Sequence, residues 1–215
     1  MKRTDKLAKV YIVPSLKKGR FKKRNLSWNR NRGEFIDVIN VQKSRWNEPD
    51  DESFTINIGV VVPEFEEIIW DEPYKEFAKV PDGVFQFRSG NITQEGFPGW
   101  NTQDPTYEVW WDLRTDEDVE KVGVEVRANI ENKLLPFLDS MDDFRKLHDV
   151  LDKTGKKKDY PLPKINFALL KNSIGEKEGS IAILKDLIAK DEGTEHAKRV
   201  LSHVQGVKKQ KLPEN

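Results

Sequence analysis

The sequence predicts an α+β fold in which an antiparallel β-sheet packs against a long helix and is followed by a C-terminal helical hairpin region. Two patterns indicate this class: apolar residues alternate with a period of two in the first half, and recur every three or four residues in the second. Only 36% of the residues are hydrophobic, but six tryptophans and eleven phenylalanines provide bulky side chains for a core. With 215 residues the chain is long enough to form one such domain.

The amino-terminal third predicts a helix followed by a hairpin. Apolar side chains in residues 6–13 follow helical spacing, and Pro14 is expected to interrupt this helix because proline lacks a backbone N–H. Gly33 follows Asn31 and Arg32 in a predicted turn, where glycine adopts a left-handed conformation at low cost. The return strand is expected to begin at Glu34 and to have both faces partly covered.

The middle of the chain predicts the remaining strands. Residues 54–62 alternate between large apolar side chains and polar or small ones, which is the clearest strand signal in the sequence. Further strands are predicted at residues 84–91 and 107–113. Pro63 and Pro73 bracket a segment that is compatible with a short helix.

The second half predicts helices. Thr115 is a suitable N-cap, with Asp118 three residues later, so a long helix is expected to begin here and to kink or break at Pro136. Shorter helices are predicted at residues 140–151, 163–173, 178–190 and 194–204. We divide the chain into an α+β sheet domain, residues 1–152, and a C-terminal helical extension, residues 153–215, which packs on the same domain and ends in a tail expected to be disordered.

Charge and cysteine content restrict the setting of the protein. The chain has no cysteine, which favours a reducing, cytoplasmic location, and its first residues contain only a short apolar run, so we expect no membrane attachment. The net charge is zero, but residues 1–45 carry 14 basic and 3 acidic side chains while residues 46–143 carry 7 and 24. Such segregation is typical of attraction within one fold and also of a docking surface for a charged partner.

Motifs for common chemistries are absent from the sequence. It contains no phosphate-binding loop, dinucleotide-binding glycine motif, nucleophile elbow or zinc-protease motif. It has three histidines, of which His196 and His203 lie roughly 10.5 Å apart along one predicted helix. We therefore predict no metal, no cofactor and no catalytic residues.

One segment is strongly basic. It holds six positive charges in eight residues and precedes Trp28, a combination that could bind a phosphate backbone and stack on a base. The neutral isoelectric point and the missing RNA-binding consensus weigh against this interpretation. The candidate nucleic-acid residues are Lys17, Lys18, Arg20, Lys22, Lys23 and Arg24.

The most distinctive sequence is the strand that ends in Gln42-Lys43-Ser44-Arg45-Trp46 and precedes Asn57-Ile58-Gly59. Together with residues 19–23, Phe87-Arg88 and Trp110-Trp111, it resembles the bacterial family called domain of unknown function 4304, over roughly residues 5–140. The resemblance implies an α+β fold and a bacterial cytoplasmic protein. It supplies no catalytic residues, since the family has no established activity.

The same polar string suggests a ligand site at the ends of strands. Arginine side chains beside tryptophan rings suit an anionic or planar ligand. The alternative is that Arg45 and Arg88 pair with carboxylates such as Asp112 and that the tryptophans belong to the core. The candidate ligand-binding residues are Gln42, Ser44, Arg45, Trp46, Arg88, Trp110 and Trp111.

The sequence does not establish a function, and we expect a non-enzymatic protein that binds a protein partner. An accessory role, including neutralisation of a toxin by the acidic middle segment, fits this expectation. Two alternatives remain: nucleic-acid binding through the basic run, and an enzyme or sensor that binds a small anion through Arg45 and Arg88. The sequence indicates no oligomeric state.

Overall fold

A computed structural model of the chain describes residues 1–74, 77–89, 109–155 and 163–206. These residues form an α+β structure with an open antiparallel sheet of six strands and helices that follow it. The predicted class is therefore confirmed. Residues 90–91 and 107–108 of two predicted strands, the charged run after Gly155 and the tail from Lys208 lie outside the described residues.

The strands pair in the order β1-β2-β3-β4-β5, and β6 also pairs with β4. The register of β2 and β3 places Ser27 opposite Asn40 and Asn31 opposite Ile36, so the hairpin predicted around Gly33 is present. Gly33 has a φ of 81° there. The strand bounds are β1 Lys22–Arg24, β2 Ser27–Asn31, β3 Ile36–Lys43, β4 Glu52–Val61, β5 Phe85–Arg88 and β6 Trp111–Leu113.

The two faces of the sheet differ in character. One face, called here the core face, joins the large apolar cluster through alternate residues such as Ile39, Ile56 and Phe87. The other, called here the groove face, carries a small cluster of Ile36, Val38, Val61 and Ala78 at one end and polar side chains at the other. The alternation predicted for β3 and β4 thus describes both faces correctly.

The helices cover the core face. Leu7 of the first helix and Val126 of the long helix belong to the same apolar cluster as the core face of the sheet. The helix bounds are α1 Arg3–Leu7, α2 Val13–Lys18, α3 Pro63–Trp70, α4 Asp116–Asn129, α5 Leu135–Asp139, α6 Phe144–Gly155, α7 Lys164–Ser173, α8 Lys177–Ala189 and α9 Thr194–Gln205.

The long helix begins as predicted. Thr115 and Asp118 form a capping box, in which each side chain accepts a hydrogen bond from the other's backbone N–H. Pro136 does not end the helix, because a π-helical turn over Ile130–Leu134 leads directly into α5.

The expected interruption at Pro14 is wrong. Helical structure continues from α1 through a π-helical turn, Ala8–Ile12, into α2, where Pro14 occupies the first turn. A proline cannot donate to the carbonyl four residues earlier, and a π-turn removes the need for that hydrogen bond.

The C-terminal helices pack on the rest of the structure. Arg199 Nη1 donates to the Ile69 carbonyl oxygen at 2.5 Å, and His196 Nδ1 lies 3.1 Å from the same oxygen, which belongs to the last turn of α3. Leu184 and Val200 belong to the same apolar cluster as the core face of the sheet. Within the described part of the chain, no helix combines the length and hydrophobicity required to cross a bilayer.

Candidate functional site

A polar groove lies on the groove face where the apolar cluster ends. Its volume is about 550 Å³, and four of the strands or their flanking segments contribute side chains. Amide side chains and two cations dominate the lining. The described lining residues are Ser27, Asn40, Gln42, Asn57, Lys79, Val80, Pro81, Gln86, Phe87 and Arg88.

The floor of the groove is a row of polar residues that crosses four strands in register. Ser27 of β2 lies opposite Asn40 of β3. Asn40 lies opposite Asn57 of β4, and Asn57 lies opposite Arg88 of β5. Because residues opposite one another in neighbouring strands project on the same face about 5 Å apart, the row forms one continuous polar strip.

Hydrogen bonds fix the orientation of the amides in this row. Asn40 Nδ2 donates to Ser27 Oγ at 2.8 Å, and Asn57 Nδ2 donates to Gln42 Oε1 at 2.8 Å. A longer contact of 3.4 Å joins Asn57 Nδ2 to Asn40 Oδ1. Each amide therefore has at least one partner in the floor, but Asn57 Oδ1 and Gln42 Nε2 have no hydrogen bond to any described residue.

One wall of the groove is the segment that leads to β5, and Asn29 attaches it to the sheet. Asn29 Oδ1 accepts a hydrogen bond from the Ala78 N–H at 2.7 Å, and its Nδ2 donates to the Ala78 carbonyl at 3.0 Å. The next residues, Lys79 and Val80, form the rim. Gly59 allows this close approach, because a Cβ atom there would lie 3.6 Å from the Val80 carbonyl oxygen and 3.0 Å from that of Phe85.

The charged side chains among the described lining residues of the groove are basic. Lys79 is exposed, and the guanidinium of Arg88 lies 5.1 Å from the ring centroid of Trp110. The described lining residues include no carboxylate and no histidine. The described part of the groove thus combines cations with amide donors and acceptors.

The structure brings together only part of the ligand site proposed from the sequence. Gln42 and Arg88 line the groove, with Trp110 against Arg88. Trp111 lies on the core face, 6% exposed and stacked on Phe54 at 5.4 Å between centroids. It therefore belongs to the core, as the alternative interpretation held for the tryptophans.

Ser44, Arg45 and Trp46 form the turn after β3. Ser44 Oγ accepts a hydrogen bond from the Trp46 N–H, and the Arg45 guanidinium lies 4.9 Å from the Trp46 ring centroid. Arg88 is level with Asn40 of β3, whereas Arg45 lies in the turn that follows the last residue of that strand, Lys43. Arg45 is not among the described lining residues of the groove that contains Arg88, and Asp112 forms an ion pair with Arg114.

The basic run forms an exposed surface at the edge of the sheet. Lys22, Lys23 and Arg24 constitute the edge strand β1 and are all exposed. Trp28, the aromatic residue expected to stack on a base, is 1% exposed, and Lys23 lies over its ring at 5.7 Å. The run can offer charge to a phosphate backbone, but Trp28 is not accessible for stacking.

Sequence reasoning missed the amides at the centre of the groove. Asn40 and Asn57 lie next to apolar or small residues on the groove face of their strands, Ile36 and Val38 in β3 and Gly59 and Val61 in β4, and this change of character was visible in the sequence. Lys79 gave no comparable signal, because its position depends on the attachment of its segment by Asn29.

A family model described as "Domain of unknown function (DUF4304)" matches residues 12–140, which is more than half of the chain. The chain belongs to this family. The match includes the strands of the groove and the long helix, so the groove is part of the region that defines the family. No curated protein and no solved structure matches the chain significantly.

Proposed function

We propose that this family member is a non-enzymatic binding protein of the bacterial cytoplasm that holds a segment of a protein partner in the polar groove. The observation that carries the proposal is the in-register row of Ser27, Asn40, Asn57 and Arg88 across four strands. A row of this kind provides several directed hydrogen-bonding groups on a rigid sheet, which reduces the entropic cost of binding.

The free amide groups suit a peptide backbone. Asn57 Oδ1 is an acceptor and Gln42 Nε2 is a donor, and neither has a partner among the described residues. In an extended segment the N–H and C=O of one residue point to the same side, so a single residue of the partner can satisfy both atoms. Val80 and Pro81 at the rim add apolar contact area.

The cations of the groove favour a partner segment with negative charge. Lys79 and Arg88 favour carboxylate side chains, and arginine binds a carboxylate through two parallel hydrogen bonds. We therefore expect the segment in the groove to be acidic. The lack of a carboxylate or imidazole among the described lining residues supports binding rather than catalysis.

Neutralisation of a toxin is a specific form of this function. The middle segment, residues 46–143, carries 24 acidic and 7 basic side chains, which favours association with a basic surface elsewhere on the same partner. An inhibitor that covers a toxin requires binding energy but no chemistry of its own, in keeping with the lining of the groove.

Affinity purification of the tagged protein from its native host, read by mass spectrometry with nucleic acid assayed in parallel, tests the proposal. We expect a stoichiometric protein partner. Its affinity should fall about tenfold or more in the Lys79→Glu/Arg88→Glu variant, because like charges then face the acidic segment. Lys121→Glu/Lys185→Glu is the matched control, since both lysines are exposed on helices outside the groove.

The two variants separate the groove from general charge effects. Equal loss of the partner in both would show that net charge rather than the groove governs binding. Recovery of RNA that is lost only in Lys22→Glu/Lys23→Glu would favour the basic edge strand and the nucleic-acid alternative instead.

A further inference from the structure

A second pair of cavities lies beside helix α3, away from the polar groove. The first, of about 440 Å³, is lined by the described residues Glu66, Trp70, Glu72, Pro73, Tyr74, Pro81 and Asp82. The second, of about 380 Å³, shares Glu66, Trp70 and Pro81 with it and extends to Asn166 and His196 in the C-terminal helices. The two therefore adjoin across the Trp70 side chain.

The exposed Trp70 is held in a fixed position. Its side chain is 55% exposed, yet its Nε1 donates to Glu66 Oε2 at 3.0 Å. The edge of its ring packs against His196, with 4.5 Å between the centroids. A large aromatic ring that is both exposed and fixed is typical of a binding surface, because little side-chain entropy is lost when a ligand contacts it.

The groups around Trp70 are acceptors and aromatic faces. The described lining of the first cavity has three carboxylates and no basic residue. Tyr74 Oη donates to Asp82 Oδ2 at 3.2 Å, which leaves the Tyr74 oxygen as an acceptor. In the second cavity Lys164 is already paired with Glu192 at 2.5 Å.

A buried acceptor provides an independent indication of a ligand. Asn166 lines the second cavity and is only 7% exposed, but its Oδ1 has no hydrogen-bond partner among the described residues. An unsatisfied buried carbonyl costs roughly 1–3 kcal/mol, so native structures usually provide it with a donor. A donor that entered beside Glu66 and Trp70 would satisfy it.

We propose that these cavities bind an organic cation, an alkylammonium or guanidinium group, between the Trp70 ring, the Glu66 and Asp82 carboxylates and Asn166 Oδ1. Such a group has several N–H donors and no acceptor, and it is attracted to an aromatic face as well as to carboxylates. The cation can be a free polyamine or a lysine or arginine side chain of a basic peptide.

The electrostatics of Glu66 support a cationic ligand. Burial raises the pKa of Glu66, and the nearby Asp82 raises it further, against hydrogen bonds from Trp70 and Asn166. The ionised carboxylate is thus disfavoured in the protein alone, and a bound cation would relieve this cost.

The indole N–H resonance of Trp70 in a ¹H–¹⁵N NMR spectrum reports binding directly, and its absence in Trp70→Phe assigns it. Titration with spermidine and with a tetralysine peptide tests the two sources of cation, and a tetraglutamate peptide is the negative control. We expect a saturable shift with at least one cation, and a dissociation constant about tenfold higher in Glu66→Gln. Glu64→Gln, which removes the same charge from the same helix outside these cavities, should change it less than twofold.

Each result decides the proposal. A response to spermidine alone identifies a small polycation as the ligand type, and a response to the peptide alone identifies a basic partner segment; either supports the site. Absence of a saturable Trp70 shift with both probes overturns it, as does equal weakening by Glu64→Gln and Glu66→Gln. Both variants keep an acceptor oxygen at the substituted position, and their NMR spectra report whether they fold.

Discussion

At the scale of single residues, Glu52 connects strand β4 to the start of the first helix. Its carboxylate accepts hydrogen bonds from the Arg3 N–H at 2.9 Å, the Thr4 N–H at 3.2 Å and Thr4 Oγ1 at 2.9 Å. A helix begins with N–H groups that lack partners, and a carboxylate also interacts favourably with the helix dipole. Glu52 thus serves as an N-cap supplied from a distant part of the chain.

Replacement of this carboxylate should have a pH-dependent effect. Burial would raise the pKa of Glu52, but hydrogen bonds from Arg3 and Thr4 and the charge of Lys43 lower it below its ordinary value of 4.5. A lowered folded-state pKa stabilises the protein above pH 4.5, and this stabilisation is lost as the pH falls through the folded-state value. Glu52→Gln should therefore reduce the free energy of unfolding by about 1–2 kcal/mol at pH 7 and by less in acid.

Urea denaturation of wild type and variant at pH 7 and at pH 3 measures the difference. Glu48→Gln is the matched control, because Glu48 is exposed near the same turn and should change stability by less than about 0.5 kcal/mol. An equal loss at both pH values would show that the carboxylate charge is not the source of the effect.

Only some of the residues that line the groove could be predicted, because which side chains meet there depends on the pairing register of the strands. The sequence drew attention to Gln42 and Arg88 as a polar end of a strand and an arginine near tryptophan. It could not show that Asn57 lies between them, since pairing across strands is fixed by turn lengths and packing. Trp28 is also buried, although its basic neighbours in the sequence suggested an exposed position, because the face on which a strand residue lies depends on the same pairing.

At the scale of elements, the starts of helices were better predicted than their interruptions. The capping box at Thr115 is a local signal that involves a few neighbouring residues, and the structure has it. Pro14 and Pro136 are also local signals, but each follows a π-helical turn that allows the helix to continue. Whether a proline ends a helix or follows a π-turn depends on how the next segment packs, and the local sequence gives no information about that packing.

The contact between the first helical segment and α4 depends on Gly123. A Cβ atom at this position would overlap the ring of Tyr11. Gly123→Ala should therefore lower the free energy of unfolding by about 1–3 kcal/mol, although alanine favours helix more than glycine does. Thermal or urea unfolding followed by circular dichroism measures the effect.

Gly179 in α8 provides the matched control for this substitution. A Cβ atom there would lie 3.4 Å from Lys171 Cδ, which belongs to a flexible side chain. Gly179→Ala should increase stability by up to about 1 kcal/mol, since only the helix preference changes. If Gly123→Ala were also stabilising, the close packing of Tyr11 on α4 would not be a constraint on the fold.

At the scale of the whole molecule, period and composition were sufficient to predict the α+β class and the covering of the sheet by helices. We also expected the C-terminal helices to pack on the sheet domain. The family match ends at residue 140, whereas apolar residues of α7, α8 and α9 join the same cluster as the sheet. Leu184, for example, is fully buried in that cluster.

This continuity predicts that the C-terminal helices and the sheet unfold together. All six tryptophans lie between residues 28 and 111, so tryptophan fluorescence reports mainly on the sheet half, with Trp70 also in contact with His196 of α9. Circular dichroism at 222 nm reports on all helices. Leu184→Ala, in α8, should lower stability by about 2–5 kcal/mol and shift both signals to the same lower midpoint. The exposed neighbour Lys185→Ala is the control and should shift neither. A fluorescence midpoint that stays at the wild-type value while helical signal is lost earlier would mean that the C-terminal helices form a separate unit, because only one of two independent cores would then have been weakened.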